Sequence, residues 1–245
     1  EMCIRDSLLT DRVAVVTGGG GGIGQGAALG FAKFGAKVAI LDIDAARCEA
    51  TEAAIKRAGG DAIGIPTNVM DSEALRGAIA RTAEHFGSID ILVNNAGGVR
   101  GGPFLTMPEA SMRRHIEINL VSMFIATQEV ARIMAQGGRG GTIVNVASIE
   151  ALRAAPMFAV YSACKAGMVN FTRTMALELA EHNIRVNCIA PDHTITPGMR
   201  NNRTGPVEPS SWPELDEDEW SLAIPIGREG VVDECASTII WLCSK

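Results

Sequence analysis

A concentrated basic surface is missing from this sequence. Its 22 lysines and arginines are spread among 28 acidic residues, for a net charge of −6. Nucleic-acid binders carry a basic face that neutralises phosphates, so that class is disfavoured. No apolar run approaches the roughly 20 residues of a membrane span, and nothing reads as a secretory leader; a cytoplasmic location is the default expectation. The six cysteines (Cys3, Cys48, Cys164, Cys188, Cys235, Cys243) contain no CxxC pair. Their spacing fits neither a zinc nor a disulfide pattern, and free thiols in a reducing compartment are expected. His85, His115, His182 and His193 are equally scattered and make no HExxH-type pair, so no metal site is expected. Tyrosine occurs once, at Tyr161.

What is present is a soluble core, with 47% hydrophobic and 20% charged residues over a length suited to one large α/β domain. Short β-rich runs alternate with helical patterns. Strands are expected at Arg12–Thr17, Lys37–Asp42, Ala62–Pro66, Ile89–Asn94, Thr142–Ala147 and Ile184–Ala190. They are continuous apolar runs, as parallel strands covered on both faces require. Helices are expected at about 23–34, 45–58, 71–86, 107–136 and 160–182, and again over Val232–Ser244. Asp71 is the expected N-cap of the third, and Thr106 with Glu109 an expected capping box of the fourth. This alternation predicts a single doubly wound, Rossmann-type parallel sheet with helices on both faces. Glu1–Ser7 (EMCIRDS) has no periodicity and reads as a non-native leader, leaving residues 8–245 as the domain. The Pro-, Asn-, Ser- and Gly-rich stretch from Pro191 to about residue 222 follows the sixth strand and reads as a substrate lid, with the acidic run Glu214–Glu219 at the start of a lid helix.

After the first strand comes Thr17-Gly-Gly-Gly-Gly-Gly-Ile-Gly24. Glycines placed between a strand and a helix permit a tight turn and let backbone N–H groups approach a pyrophosphate. The run fits both GxGxxG (Gly19, Gly21, Gly24) and GxxxGxG (Gly18, Gly22, Gly24), and lacks the Lys-Ser/Thr ending of a P-loop. Asp42 closes the second strand, 18 residues beyond Gly24. A carboxylate there accepts from adenosine ribose hydroxyls and repels a 2′-phosphate, which favours NAD; Arg47 keeps NADP open. Asp44 reads as a solvated strand-end carboxylate.

Tyr161 and Lys165 lie i and i+4 on one helix face, within YSACK. Ser148, thirteen residues earlier, ends the fifth strand. A tyrosine with a pKa near 10 needs roughly 4 kcal/mol to be brought down by about 3 units. An ammonium about 4 Å away supplies energy of that order. Ser148 is placed to hydrogen-bond a substrate oxygen, and Lys165 to hold a nicotinamide ribose.

Taken with Asn94–Gly97 (NNAG) and Asn119, these motifs resemble the short-chain dehydrogenase/reductase family, from about Leu8 to Ser244. The resemblance implies a catalytic set of Asn119, Ser148, Tyr161 and Lys165. Asn119, in HIEIN, would hold a water linking Lys165 to solvent. It implies a dinucleotide site at Gly18, Gly22, Ile23, Gly24, Asp42, Asn68, Val69, Asn95, Ala96, Gly97, Tyr161, Lys165, Pro191 and Thr196, and a homotetramer or homodimer. Three departures stand out. Asn68-Val69 replaces the family's Asp-Val, and Asp192 replaces a glycine near the nicotinamide. The chain also stops where relatives continue into a seventh strand, so it reads as truncated at its C-terminal end, with an uncovered sheet edge.

The expected activity is hydride transfer between NAD(H) and a secondary alcohol or ketone, with Tyr161 as acid/base. Reduction of a 3-oxoacyl thioester with NADPH is the alternative, and a non-catalytic dinucleotide-binding regulator a weaker one. No nucleic-acid or membrane partner is expected. Glu150, Leu152, Met157, Val160, His193 and Met199 are candidate pocket residues. A carboxylate at Glu150 could grip a second substrate hydroxyl or simply face solvent, and His193 could touch substrate or belong with Asp192 to a surface pair.

Overall fold

Apolar strands that must be covered on both faces organise the molecule. The computed structural model describes residues 9–196 and 227–244. Six parallel strands, β1 (Val13–Thr17), β2 (Lys37–Asp42), β3 (Ala62–Pro66), β4 (Ile91–Asn94), β5 (Gly141–Val146) and β6 (Ile184–Ile189), form one sheet in the order β3-β2-β1-β4-β5-β6. Alternate residues feed two cores, because successive side chains point to opposite faces. Val16, Val38 and Ile40 join Phe31, Ile55, Ile239 and Ile240 on one face, while Val15, Ala39 and Leu41 join Ile79, Val130 and Met134 on the other.

Helices α1 (Gly22–Lys33), α2 (Ala45–Arg57), α3 (Ser72–Phe86), α4 (Glu109–Ile116), α5 (Ser122–Gly137), α6 (Ala159–Glu178) and α7 (Val232–Cys243) supply those layers. Asp71 caps α3 as expected, accepting from the Glu73 and Ala74 amides. Asp44 is not a solvated strand end; it caps α2 through the Ala46 and Arg47 amides. The Thr106–Glu109 capping box does not form. Thr106 closes a 3₁₀ turn, Pro108 holds the N-cap position of α4, and Glu109 pairs with Arg113 one turn on. Nor is 107–136 one helix, because a π-turn over Glu117–Val121 separates α4 from α5. The expected 160–182 helix stops at Glu178 and tightens into a 3₁₀ turn over Ala180–His182. Glu1–Ser7, Met199, the acidic run and the expected lid beyond Thr196 lie outside the described residues.

Two features set the edges. Gly26 and Gly30 let α7 lie directly on α1, since a methyl group at either would collide with Val232 or Ile240. At the amino end of the sheet, the buried Asp90 carboxylate pairs with Arg12 (3.2 Å) and Arg139 (2.9 Å) and accepts from the Val13 amide (3.0 Å).

Candidate active site

The glycine loop turns at the carboxyl end of β1. Gly18 and Gly22 sit at φ +63° and +52°, a left-handed conformation that side-chain-bearing residues rarely adopt. Gly24 packs so closely on the Gly18 carbonyl oxygen that a methyl group would overlap it. No side chain caps α1 at Gly21, so no side-chain acceptor from the N-cap occupies its first amides. That is the arrangement a phosphate anion fits. Thr196 stands over Gly22, with side-chain atoms 3.2–3.3 Å from where a Gly22 Cβ would lie. The loop is braced from β4: Asn95 Nδ2 donates to the Thr17 and Gly18 carbonyls (3.0 and 3.1 Å), and Thr17 Oγ1 accepts from the Asn95 and Ala96 amides (3.0 and 3.1 Å). Thr17 was visible only as the first letter of the glycine motif; its brace spans 78 residues of sequence.

Asp42 is turned toward the same loop, accepting from the Gly20 amide at 3.0 Å and the Asp44 amide at 3.1 Å. Arg47 packs against Gly20 and also pairs with Asp44 at 3.4 Å. Asn68 is exposed beyond β3, where its side-chain Oδ1 accepts from the Met70 amide, and Val69 is buried. The residues present therefore fit a dinucleotide: an uncapped helix start, a glycine cradle and an acidic strand end share one edge of the sheet.

Across that edge lie Ser148, Tyr161, Lys165 and Asn119. Asn119 sits in the π-turn, where its Nδ2 donates to the Gly98 and His115 carbonyls (2.8 and 3.0 Å) and its Oδ1 accepts from the Gly98 amide (3.1 Å). It thereby ties the loop after NNAG to the bend. Gly97 lies where Asn119 and Lys165 converge: a Cβ there would be 2.8 Å from Asn119 Oδ1 and 3.7 Å from Lys165 Nζ. His115 adds a brace that the sequence gave no hint of, with Nδ1 against the Ser111 carbonyl and Nε2 accepting from the Arg100 amide.

Lys165 is buried and donates to the Val146 carbonyl at 2.7 Å. Its Nζ lies 5.8 Å from the centre of the Tyr161 ring, rather than bonded to the hydroxyl. Burial lowers the Lys165 ammonium to about 8, a small opposing effect coming from the Cys164 thiol. The expected lowering of Tyr161 by Lys165 is therefore not found in the protein alone. Burial pushes the Tyr161 hydroxyl up, the neighbouring Ser148 hydroxyl draws it partly back, and the Glu150 carboxylate pushes it further up.

Ser148 donates to Glu150 Oε2 at 2.7 Å and accepts from the Glu150 amide at 3.3 Å. Arg153 holds Glu150 Oε1 and Asp192 Oδ1, each at 3.1 Å, so it bridges the loops after β5 and β6. Asp192 thus pairs with Arg153, and His193 with Glu229 at 2.7 Å. Val160 lies elsewhere, in an apolar groove with Phe104, Ile116, Leu120, Ala159, Ala163 and Cys164, which none of the catalytic four lines.

A doubly wound sheet carrying a glycine cradle and a serine–tyrosine–lysine cluster at one carboxyl edge defines a dinucleotide-binding oxidoreductase. The short chain dehydrogenase family model matches residues 12–206, and the chain belongs to that family. It is an enzyme that acts on CH–OH groups with a nicotinamide dinucleotide. The chain is 37% identical to the Thauera aromatica (2S)-[(R)-hydroxy(phenyl)methyl]succinyl-CoA dehydrogenase subunit BbsD, over 96% of this chain and 90% of the relative. It is 34% identical to a 3-oxoacyl-[acyl-carrier-protein] reductase of Chlamydia muridarum, over 98% and 93%. Among solved structures it resembles 7 alpha-hydroxysteroid dehydrogenase complexed with NADH and 7-oxo glycochenodeoxycholic acid. The TM-score is 0.88 and the identity 33%, over 98% of this chain and 89% of that one. Among the described residues, no helix is long and apolar enough to cross a membrane, and no group of histidine, cysteine and carboxylate side chains could hold a metal ion.

Proposed function

We propose that the enzyme interconverts a secondary alcohol and its ketone with NAD(H), and that Tyr161 is the acid/base. The observation that carries this reading is the single tyrosine of the chain, half-buried beside Ser148 and one helical turn from buried Lys165, facing the glycine cradle's edge of the sheet. A bound nicotinamide dinucleotide supplies the hydride acceptor or donor. Gly18 and Gly22–Gly24 would hold its pyrophosphate, and Asp42 its adenosine ribose. Asn68 and Val69 would meet the adenine, while Asn95–Gly97, Lys165, Pro191 and Thr196 would line its nicotinamide half.

Tyr161 rests protonated, because burial opposes the tyrosinate. It is therefore ready to give its proton to a ketone oxygen held by Ser148, and must lose it before taking one from an alcohol. Lys165 holds a positive charge beneath the ring below about pH 8. Asn119 fixes the Gly98 backbone beside it, and we assign to Asn119 the water that exchanges protons with solvent. Such positioned acid/base catalysis contributes about 10² to 10⁴-fold.

Tyr161→Phe tests the assignment. Turnover of secondary alcohols with NAD should fall by about 10² or more while NADH binding persists; turnover unchanged in the variant would remove Tyr161 from the chemistry. In the wild type, oxidation should quicken as pH rises, because deprotonation of Tyr161 precedes it, whereas reduction should not. The NADPH-dependent 3-oxoacyl-thioester reading finds support in the Chlamydia relative's name. Asp42 favours NAD, so a kcat/KM higher with NADP than with NAD would turn the assignment toward that second reading.

A further inference from the structure

The Ser148 hydroxyl proton is committed before any substrate arrives. A hydroxyl has one proton to give and two lone pairs to receive. The proton goes to Glu150 Oε2 at 2.7 Å, and one lone pair accepts the Glu150 amide at 3.3 Å. Glu150 is a carboxylate and can only accept. Arg153 occupies its other oxygen and is itself paired with Asp192, which favours the position of Glu150 beside Ser148. Its side chain is 21% exposed, enough to be reached from the mouth of the site.

To polarise a carbonyl oxygen, Ser148 must withdraw its proton from Glu150. That step strips a charged acceptor of its donor. A substrate with a single oxygen offers nothing in return. One with a second hydroxyl on the adjacent carbon supplies the replacement donor to Oε2, while Ser148 turns to the reacting oxygen. Resting on the alcohol/ketone reading above, we infer that Glu150 is a specificity-determining residue that selects vicinal diols and their α-hydroxy ketones. Arg153, strapped to Asp192, positions it. Only the carbinol is oxidised, its hydride passing to NAD and its proton to Tyr161, while the second hydroxyl merely changes hydrogen-bond partner. The same carboxylate repels a substrate carrying an anionic group next to the reacting carbon.

The test compares kcat/KM for vicinal cyclohexanediols against cyclohexanol, and for butane-2,3-diol against butan-2-ol, in wild type, Glu150→Ala, Glu150→Gln and Tyr161→Phe. NADH binding serves as the check that each variant is folded. Wild type should prefer each diol by about tenfold or more, the worth of one charged hydrogen bond. The preference should collapse toward unity in Glu150→Ala and fall part-way in Glu150→Gln, which keeps the shape without the charge. A wild-type ratio near one, a ratio that survives both Glu150 changes, or a wild type that binds NADH and oxidises no diol would overturn the inference. If Tyr161→Phe abolishes turnover throughout, the acid/base reading stands whatever the ratios show; turnover indifferent to Tyr161→Phe overturns that reading instead.

Discussion

Lys165 lives in conflict with its surroundings. It is buried, it donates to the Val146 carbonyl, and its ammonium is lowered to about 8 from an ordinary 10.5. Between those two values the unfolded chain binds a proton that the folded chain does not, so this residue makes stability rise with pH across that window. Below about pH 8 its charge is held in the core at a cost of about 3 kcal/mol. Lys165→Met, in the cofactor-free protein, should therefore gain about 2 kcal/mol by urea denaturation at pH 7, and the gain should shrink by pH 10. An equal gap at the two pH values would mean that packing, not charge, sets the difference. The identity of Ser148, Tyr161 and Lys165 was legible from their motifs, because residue type and spacing carry that information. Their partners were not. The bond from Lys165 to Val146 and the claim of Glu150 on Ser148 depend on which backbone atoms the loop after β5 presents, and no periodicity encodes that.

Elements were legible where periodicity governs them and illegible where single side chains intervene. Strand boundaries came within two residues because apolar runs end where chains leave the sheet. The bend at Asn119 was missed, since nothing in HIEIN breaks a helical pattern; the extra residue is absorbed as a π-turn once the Asn119 amide reaches Gly98. The same kind of tertiary control operates at the cradle. Gly24→Ala drives a methyl into the Gly18 carbonyl and the Asn95 amide, and both would have to shift. NADH affinity should drop by about tenfold or more, about 1.4 kcal/mol, as read by fluorescence titration. Gly59→Ala, at a position with nothing within 4 Å, serves as a control for glycine loss; its φ of +84° predicts a stability cost without that loss of affinity. Affinity falling equally in both would trace the effect to general destabilisation.

At the scale of the molecule, the two ends of the sheet do different work. The carboxyl end carries the glycine cradle, with Asp42 beneath it bonded to the Gly20 amide. The amino end is closed by Asp90, whose carboxylate gathers Arg12, Arg139, Ser88 and the Val13 amide. Asp90→Ala should lose about 2–3 kcal/mol by denaturant unfolding, because it leaves a buried amide unpaired. Arg139→Ala should lose under about 1 kcal/mol, its side chain being half exposed. Comparable losses from both changes would show that the arginines, not the Val13 amide, carry the clamp. Arg12, Val13 and Arg139 are all far from Asp90 in sequence, and no motif announced the cluster.

One row of polar side chains crosses the middle of this otherwise apolar sheet. Asn94 donates to Thr127 (3.0 Å) and to Asn145 (2.8 Å), and Asn145 donates to Thr172 (2.9 Å). Judged by oiliness alone, ILVN and GTIVNV could lie beside each other in several alignments, each burying much the same surface. Only one alignment sets amide against amide, with a threonine waiting on the helix at either side. Slide β5 by a single residue and the amide pair is broken: Asn94 keeps only Thr127, and Asn145 loses its partner on β4. The row fixes the register of β4 and β5, and with it the height at which the loops that follow Asn94 and Val146 set Gly97 and Ser148.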